Sequence, residues 1–354
     1  MAEPIRVLIV DDSAFMRRAI GSLLEGENDI KVAGFAKDGE DAIRQIQDFR
    51  PDIVTMDIEM PKMDGLTALK IIMEKFPLPV IMISSLTEEG AKATLDALDL
   101  GAVDYIPKNL YNVSLNILKI KDNLLSKIRA ITAKKYIFHT SAETTELFSA
   151  SAKSFKNGSW NKKINIIAIG SSTGGPKALQ DIIPKIPENF PIPIVLVQHM
   201  PKAFTGPFAE RLSSISHIKV IEASGSEIIK PGTAYLSPGD KHLTIKKING
   251  KETKIFLSNE PTDLINRPSV SVMMESVAQV YPGSTLGVIL TGMGSDGLSG
   301  MRSIKESGGR TIAQDEATCV VYGMPKAVVD AGLADVILPI YKIGDEIIRE
   351  TIIL

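Results

Sequence analysis

The 354-residue chain has little of several things: one cysteine, Cys319, four histidines, one tryptophan, and aromatics at only 5%. A single cysteine closes no internal disulfide, which fits a reducing compartment. With so few histidines, any histidine-dependent chemistry can be searched by elimination. No apolar run approaches the roughly 18 residues of a membrane span. The longest strand-like runs lie near Ile192–Val197 and Leu286–Leu290. The opening Met1-Ala-Glu-Pro-Ile-Arg6 lacks a basic-then-apolar leader. A cytoplasmic location without membrane insertion is therefore expected. An apolar fraction of 44% against 23% charged residues argues against disorder throughout.

Excess charge is also missing overall, because 40 Lys+Arg face 42 Asp+Glu. The distribution is uneven. Residues 1–108 carry 12 basic against 20 acidic residues, 109–162 carry 9 against 3, and 163–354 carry 19 of each. An acidic front, a basic middle and a neutral back suggest three pieces. The length alone suggests two domains.

In the front, strand candidates Ile5–Val10, Lys31–Ala36, Ile53–Met56, Val80–Ile83 and Val103–Ile106 alternate with helical stretches. The alternation predicts a parallel sheet covered on both faces. Tyr111–Lys135 reads as an amphipathic helix, and the polar stretch up to Lys163 as a linker. Its sparse charge and low aromatic content argue against a nucleic-acid arm. The back restarts with Ile164–Ile169 and contains the continuous apolar runs Pro193–Val197 and Thr285–Leu290. Asn249-Gly250 signals a hairpin, and Ser269–Tyr281, Gly297–Ser307 and Gly323–Ala331 look helical. The expected organisation is α/β: residues 1–130, a linker at 131–162, and a second unit at 163–354.

In the first unit, Asp11 and Asp12 end one strand and Asp57 another; Ser84 and Lys108 lie at two more strand ends. Parallel strands bring such ends to one carboxyl edge, where ligands bind. Three carboxylates there repel unless a cation sits among them, and hard oxygen ligands suit Mg²⁺. Helix capping accounts for one such Asp, but poorly for the set.

These residues carry a resemblance. Val10-Asp-Asp-Ser13, Met56-Asp-Ile-Glu-Met-Pro-Lys-Met-Asp-Gly65, Ser84-Ser85 and Tyr105-Ile-Pro-Lys108 resemble a two-component receiver domain, over about residues 3–130. The resemblance implies a flavodoxin-like (βα)5 fold with Asp57 as phospho-acceptor. It implies Mg²⁺ held by Asp12, Asp57 and the main-chain carbonyl of Glu59, with Asp11 supporting through water. Ser84 and Tyr105 match its switch pair, and Lys108 its phosphoryl-facing lysine. The family usually has proline after that lysine; here Pro107 precedes Lys108 and Asn109 follows.

In the second unit, Gly170-Ser-Ser-Thr-Gly174 fits G-x-S-x-G between a strand and a helix, a turn able to expose the Ser172 hydroxyl. Alone, this turn fits catalysis, phosphate binding or a plain tight turn. An activated serine needs a base. His139 lies in the linker, His217 in a surface-like loop, and His242 in the hairpin region. His199 alone follows a buried strand. The candidate orienting carboxylate is Asp296 in Thr291-Gly-Met-Gly-Ser-Asp-Gly297, with Asp315 and Asp240 as competitors.

These segments, with Val197-Gln-His-Met-Pro201, Tyr235-Leu-Ser-Pro-Gly-Asp-Lys-His242, Asn266-Arg-Pro-Ser-Val270 and Gln314-Asp-Glu-Ala-Thr-Cys-Val-Val-Tyr-Gly-Met-Pro325, resemble the catalytic domain of chemotaxis protein-glutamate methylesterases. The match spans about residues 163–350. The resemblance implies a doubly wound, mostly parallel α/β domain, a Ser172–His199–Asp296 triad, the Met293 N–H as oxyanion donor and Thr173 beside the nucleophile. It implies hydrolysis of glutamate methyl esters on methyl-accepting chemoreceptors, deamidation of receptor glutamines, and a chemotaxis histidine kinase as phosphodonor. It further implies recruitment to chemoreceptor arrays, and no cofactor for the esterase reaction. Two rivals remain: a non-enzymatic adaptor with a phosphate-binding domain, which lacks a P-loop lysine, and a DNA-binding regulator, which lacks a basic recognition helix.

Overall fold

The computed structural model describes residues 3–108, 116–133 and 163–351. The chain divides into two compact units, 1–145 and 146–354. The expected linker at 131–162 falls almost wholly outside the described residues, as do His139 and Asn109.

The first unit alternates β1 (Ile5–Val10), α1 (Ala14–Leu24), β2 (Ile30–Ala36), α2 (Gly39–Phe49), β3 (Ile53–Asp57), α3 (Gly65–Lys75), β4 (Val80–Ser84), α4 (Glu88–Asp99), β5 (Asp104–Pro107) and α5 (Asn116–Thr132). The five strands pair in parallel in the order β2-β1-β3-β4-β5. This is the flavodoxin-like order expected, with its switch point between β1 and β3. Every residue of β3 and β4 is buried, as strands covered on both faces must be. The helix starts are fixed by side-chain caps: the Ser13, Asp38, Asp64 and Thr87 oxygens each accept a main-chain N–H of the first turn. At Gly65 a Cβ would lie 2.0 Å from the Asp57 carbonyl oxygen, so only glycine lets α3 start against the end of β3.

The second unit contains β6 (Ile166–Ser171), α6 (Gly175–Ile182), β7 (Ile194–Gln198), α7 (Lys202–Ile215), β8 (Lys219–Glu222), β9 (Thr233–Leu236), the hairpin β10 (His242–Ile248) and β11 (Glu252–Ser258), α8 (Val270–Val280), β12 (Thr285–Ile289), α9 (Leu298–Glu306), β13 (Arg310–Gln314), α10 (Met324–Asp330), β14 (Val336–Leu338) and α11 (Ile340–Thr351). Seven strands form one sheet in the order β14-β13-β12-β6-β7-β9-β8, and all its pairs are parallel. The hairpin stands as a separate antiparallel pair. Its buried residues Leu243, Ile245 and Ile255 join one core with Val270, Met273, Met274 and Val277 of α8. The central strands β6, β7 and β12 are buried along their whole length. No helix among the described residues is long and apolar enough to cross a membrane.

Candidate active site

Three adjacent parallel strands deliver the second unit's chemistry to one edge. Ser172 follows β6, His199 follows β7 on one side, and Asp296 lies beyond β12 on the other. Ser171 pairs with Gln198, and the His199 N–H donates to the Ser171 carbonyl at 3.0 Å. Nucleophile and base candidates therefore sit on neighbouring strand ends with their backbones joined.

The buried Gln198 strengthens that junction. Its Nε2 donates to the Ser172 carbonyl at 2.9 Å and the His199 carbonyl at 3.1 Å, and its Oε1 accepts the Ser171 hydroxyl at 2.6 Å. On the other flank the Ser172 N–H donates to the Thr291 carbonyl at 3.0 Å. Thr291 Oγ1 donates to the carbonyl of Thr173, which is buried. A Cβ on Gly292 would stand 2.8 Å from the Ser172 Cβ. The peptide leading into Met293 thus runs directly against the serine.

His199 Nε2 and Asp296 Oδ2 are 2.8 Å apart. With Nε2–H donated to the carboxylate, Nδ1 carries the lone pair available as base. Asp296 is itself held by a helix start. Oδ1 accepts the Ser269 hydroxyl at 2.9 Å, the Ser271 N–H at 3.0 Å and the Gly297 N–H at 2.9 Å, and Oδ2 accepts the Val270 N–H at 2.8 Å. Burial pushes this carboxyl up. The hydrogen bond and charge of His199, with the N–H groups of Ser271 and Val270, outweigh it and hold the group well below the usual carboxylate range. The rival carboxylates are occupied or elsewhere. Asp315 caps its own loop by accepting the Thr318 N–H and hydroxyl, and Asp240 takes a left-handed turn position with φ 64°.

His217 is exposed, as a loop residue would be. His242, by contrast, is fully buried within this hydrogen-bond network. Sequence reasoning left it in the hairpin region. Its proximity in sequence to Pro238-Gly-Asp240 carried no signal of a contact with Ser269.

In the first unit, Asp11, Asp12 and Asp57 each present a carboxylate oxygen within 4.8 Å of the others. Lys108 Nζ lies 2.6 Å from Asp57 and 3.3 Å from Asp11. Burial raises the Asp57 carboxyl to about 6 against the opposing hydrogen bond and charge of Lys108, and the Asp11 charge adds to the rise. Asp11 Oδ2 is buried and, among the described residues, faces only the ammonium that Asp57 also holds. Three clustered carboxylates sharing one ammonium leave excess negative charge that fits a divalent cation of the oxygen-loving class. The Glu59 N–H donates to Asp57, and a cleft of about 550 Å³ lined by Asp12, Ile58, Glu59, Met60, Asp64 and Leu66 opens beside the carboxylates. Ser84 Oγ bonds the Gly90 carbonyl at 3.1 Å and Thr94 Oγ1 at 2.6 Å, so α4 holds it. Tyr105 is buried, with Lys127 Nζ 5.6 Å from its ring centroid.

Fold and site together define a receiver domain in one chain with an α/β domain that gathers serine, histidine and aspartate at one sheet edge. The receiver model of response regulators matches residues 7–117, and the CheB methylesterase model matches residues 167–347. The chain belongs to the CheB methylesterase family. Among curated relatives, a protein-glutamate methylesterase/protein-glutamine glutaminase of Nitratidesulfovibrio vulgaris is 48% identical, covering 95% of this chain and 96% of its own. The protein of the same name from Thermotoga maritima is 46% identical, covering 98% of each chain. The crystal structure of the Thermotoga maritima CheB methylesterase catalytic domain is 48% identical with a TM-score of 0.51, covering 53% of this chain and 99% of that one.

Proposed function

We propose that the protein hydrolyses glutamate methyl esters on chemoreceptors, and deamidates receptor glutamines, through Ser172, His199 and Asp296. The observation that carries this reading is the 2.8 Å His199–Asp296 pair beside the Ser172 turn. His199 Nδ1 takes the Ser172 proton as Oγ attacks the ester carbonyl. The oxyanion is held by main-chain N–H groups, with Met293 the leading donor and Thr173 packed alongside. His199 returns the proton to the leaving methanol, or to ammonia from a glutamine, and water then cleaves the acyl-enzyme. Asp296 fixes the imidazole tautomer and stabilises the imidazolium.

Asp57 is the residue we assign to phosphorylation by a chemotaxis histidine kinase. Asp12, Asp57 and the Glu59 carbonyl would hold Mg²⁺, with Asp11 behind them. That ion supplies charge neutralisation for the incoming phosphoryl group. Lys108 faces the phosphoryl oxygens, and Ser84 and Tyr105 respond to them. The unphosphorylated receiver holds the esterase activity low, and phosphorylation raises it. The enzyme works in the cytoplasm at chemoreceptor arrays.

Methanol release from methylated receptor, with and without a small phosphodonor and Mg²⁺, tests both halves. Ser172→Ala and His199→Ala should remove nearly all activity, and Asp296→Asn should cost less. Asp57→Asn should abolish stimulation, and removal of the receiver should raise basal activity. Full turnover by folded Ser172→Ala refutes the catalytic half; intact stimulation of Asp57→Asn refutes the regulatory half.

A further inference from the structure

His242 is the buried titratable group that the mechanism above leaves unused. It is the first residue of β10 and fully buried, and both ring nitrogens are engaged. Nδ1 accepts the main-chain N–H of Ser269 at 3.1 Å, and Nε2 faces the Pro261 carbonyl at 3.1 Å. An N–H donor at one nitrogen and a carbonyl at the other admit one arrangement, the neutral Nε2–H tautomer. Burial favours that neutral form, and the charge of Arg267 adds to it; the Pro261 carbonyl and the Asp296 charge oppose.

Ser269 is the N-cap of α8. Its hydroxyl accepts the Val272 N–H at 3.3 Å and donates to Asp296 Oδ1 at 2.9 Å. The next two N–H groups, of Val270 and Ser271, also bind Asp296. Three of the carboxylate's donors thus come from one helix start, and His242 pins the peptide N–H that begins it. An α-helix start satisfies its outermost N–H groups with side chains or water; here one goes to a ring nitrogen on another element.

We infer that His242 is a positioning residue for Asp296, acting through Ser269 to fix the first turn of α8 where that turn grips the carboxylate. The inference rests on the triad reading. Loss of the acceptor leaves a buried N–H unpaired and lets the turn, and with it Asp296 and the His199 ring, drift from the attacking geometry. Catalytic steps lose rate to small misplacements while substrate binding, made elsewhere, does not.

The full-length chain is tested on methylated receptor. In His242→Asn the amide oxygen overlays Nδ1 and keeps the acceptor; His242→Gln keeps a group at Nε2 and loses it. His242→Gln should lower kcat about tenfold with KM within about twofold, the scale of one misplaced hydrogen bond. His242→Asn should recover most of that loss at similar Tm. In an Asp296→Asn background, His242→Gln should cost less than about twofold more, because its route is already broken. Equal activity of the two His242 variants, or a full tenfold loss persisting without Asp296, overturns the inference. On the unmutated protein, ¹⁵N NMR should give a neutral Nε2–H ring with a nitrogen–nitrogen coupling to Ser269; an Nδ1–H tautomer overturns the inference however the variants fold. Unimpaired Asp296→Asn refutes the triad itself. Impaired Asp296→Asn with unimpaired His242→Gln refutes only the role of His242.

Discussion

Asp57→Asn should stabilise the receiver at neutral pH, and the size of the gain follows from the site. Burial lifts the Asp57 carboxyl from 3.8 to about 6 despite Lys108 at 2.6 Å. Because the folded pKa is the higher one, the folded state binds this proton more tightly than the unfolded state. The ionised group therefore costs nothing below the unfolded value. The cost grows between about 4 and 6 and is constant above. At about 1.4 kcal/mol per pKa unit the full cost is about 3 kcal/mol. The attraction of Lys108 is already inside that figure, and Lys108 keeps Asp11 at 3.3 Å when Asp57 is neutralised. Pulsed hydrogen exchange of peptides covering β3 and β4 across a urea series reports receiver stability without interference from the second unit. The gap between Asp57→Asn and the parent should be near zero at pH 4, open through pH 6, and plateau at about 3 kcal/mol or somewhat less after relaxation. Mg²⁺ should narrow the gap by stabilising the parent alone. A gap independent of pH, or a less stable variant, refutes the argument.

Two further expectations concern the serine's neighbours. Gly292→Ala puts a methyl 2.8 Å from the Ser172 Cβ and 2.3 Å from the Met324 sulfur; it should cut kcat by at least about a hundredfold, a loss comparable to that of an oxyanion donor. Methanol release by the variant at parental rate would show that this peptide does not border the reacting centre. Gln198→Leu removes the clamp across the Ser172 and His199 carbonyls. It should lower Tm by several degrees and kcat by more than tenfold, since the His199 carbonyl loses the Gln198 donor and the buried Ser171 hydroxyl loses its acceptor, each loss costing about 1–3 kcal/mol. Unchanged Tm and kcat together would dismiss the clamp.

Much of the fold was legible because its central strands are buried on both faces and therefore written as continuous apolar runs. All five strands of the first unit lie within a residue or so of their sequence-read bounds. The edge strands β8 and β14, and β9 beside β8, are three or four residues long and leave little periodic signal. α7 carries Gly206-Pro207 in its interior, a dipeptide that reads as a break. The candidate site residues stand out in the sequence where chemistry and strand ends coincide, as at Ser172, His199 and Asp57. Asp296 could be chosen over Asp315 and Asp240 only through resemblance, because what distinguishes it is the α8 helix start, contributed from 25 to 27 residues away in sequence. His242 was missed for the same reason: its partners Ser269 and Pro261 are contacts of tertiary structure alone.

The two candidate carboxylates both lie at carboxyl edges of parallel sheets, Asp57 buried and Asp296 largely shielded, yet their affinities for protons move in opposite directions. Around Asp296, three main-chain N–H groups, a hydroxyl and His199 supply donors enough to outweigh burial. Around Asp57, Asp11 draws on the same Lys108, and burial prevails. The difference matches the role proposed for each group. An orienting carboxylate must stay charged while a proton moves on the ring beside it, so its compensation is built from fixed dipoles that cannot leave. A phospho-acceptor must attack, carry a doubly charged group and later lose it, so its compensation has to be exchangeable. A site left short of positive charge by the chain itself is responsive to a cation and to a phosphoryl group in a way that the Asp296 site cannot be. On this argument, replacing a donor to Asp296 costs both stability and rate, whereas adding a fixed positive charge beside Asp57 would stabilise the receiver and remove its dependence on Mg²⁺ together.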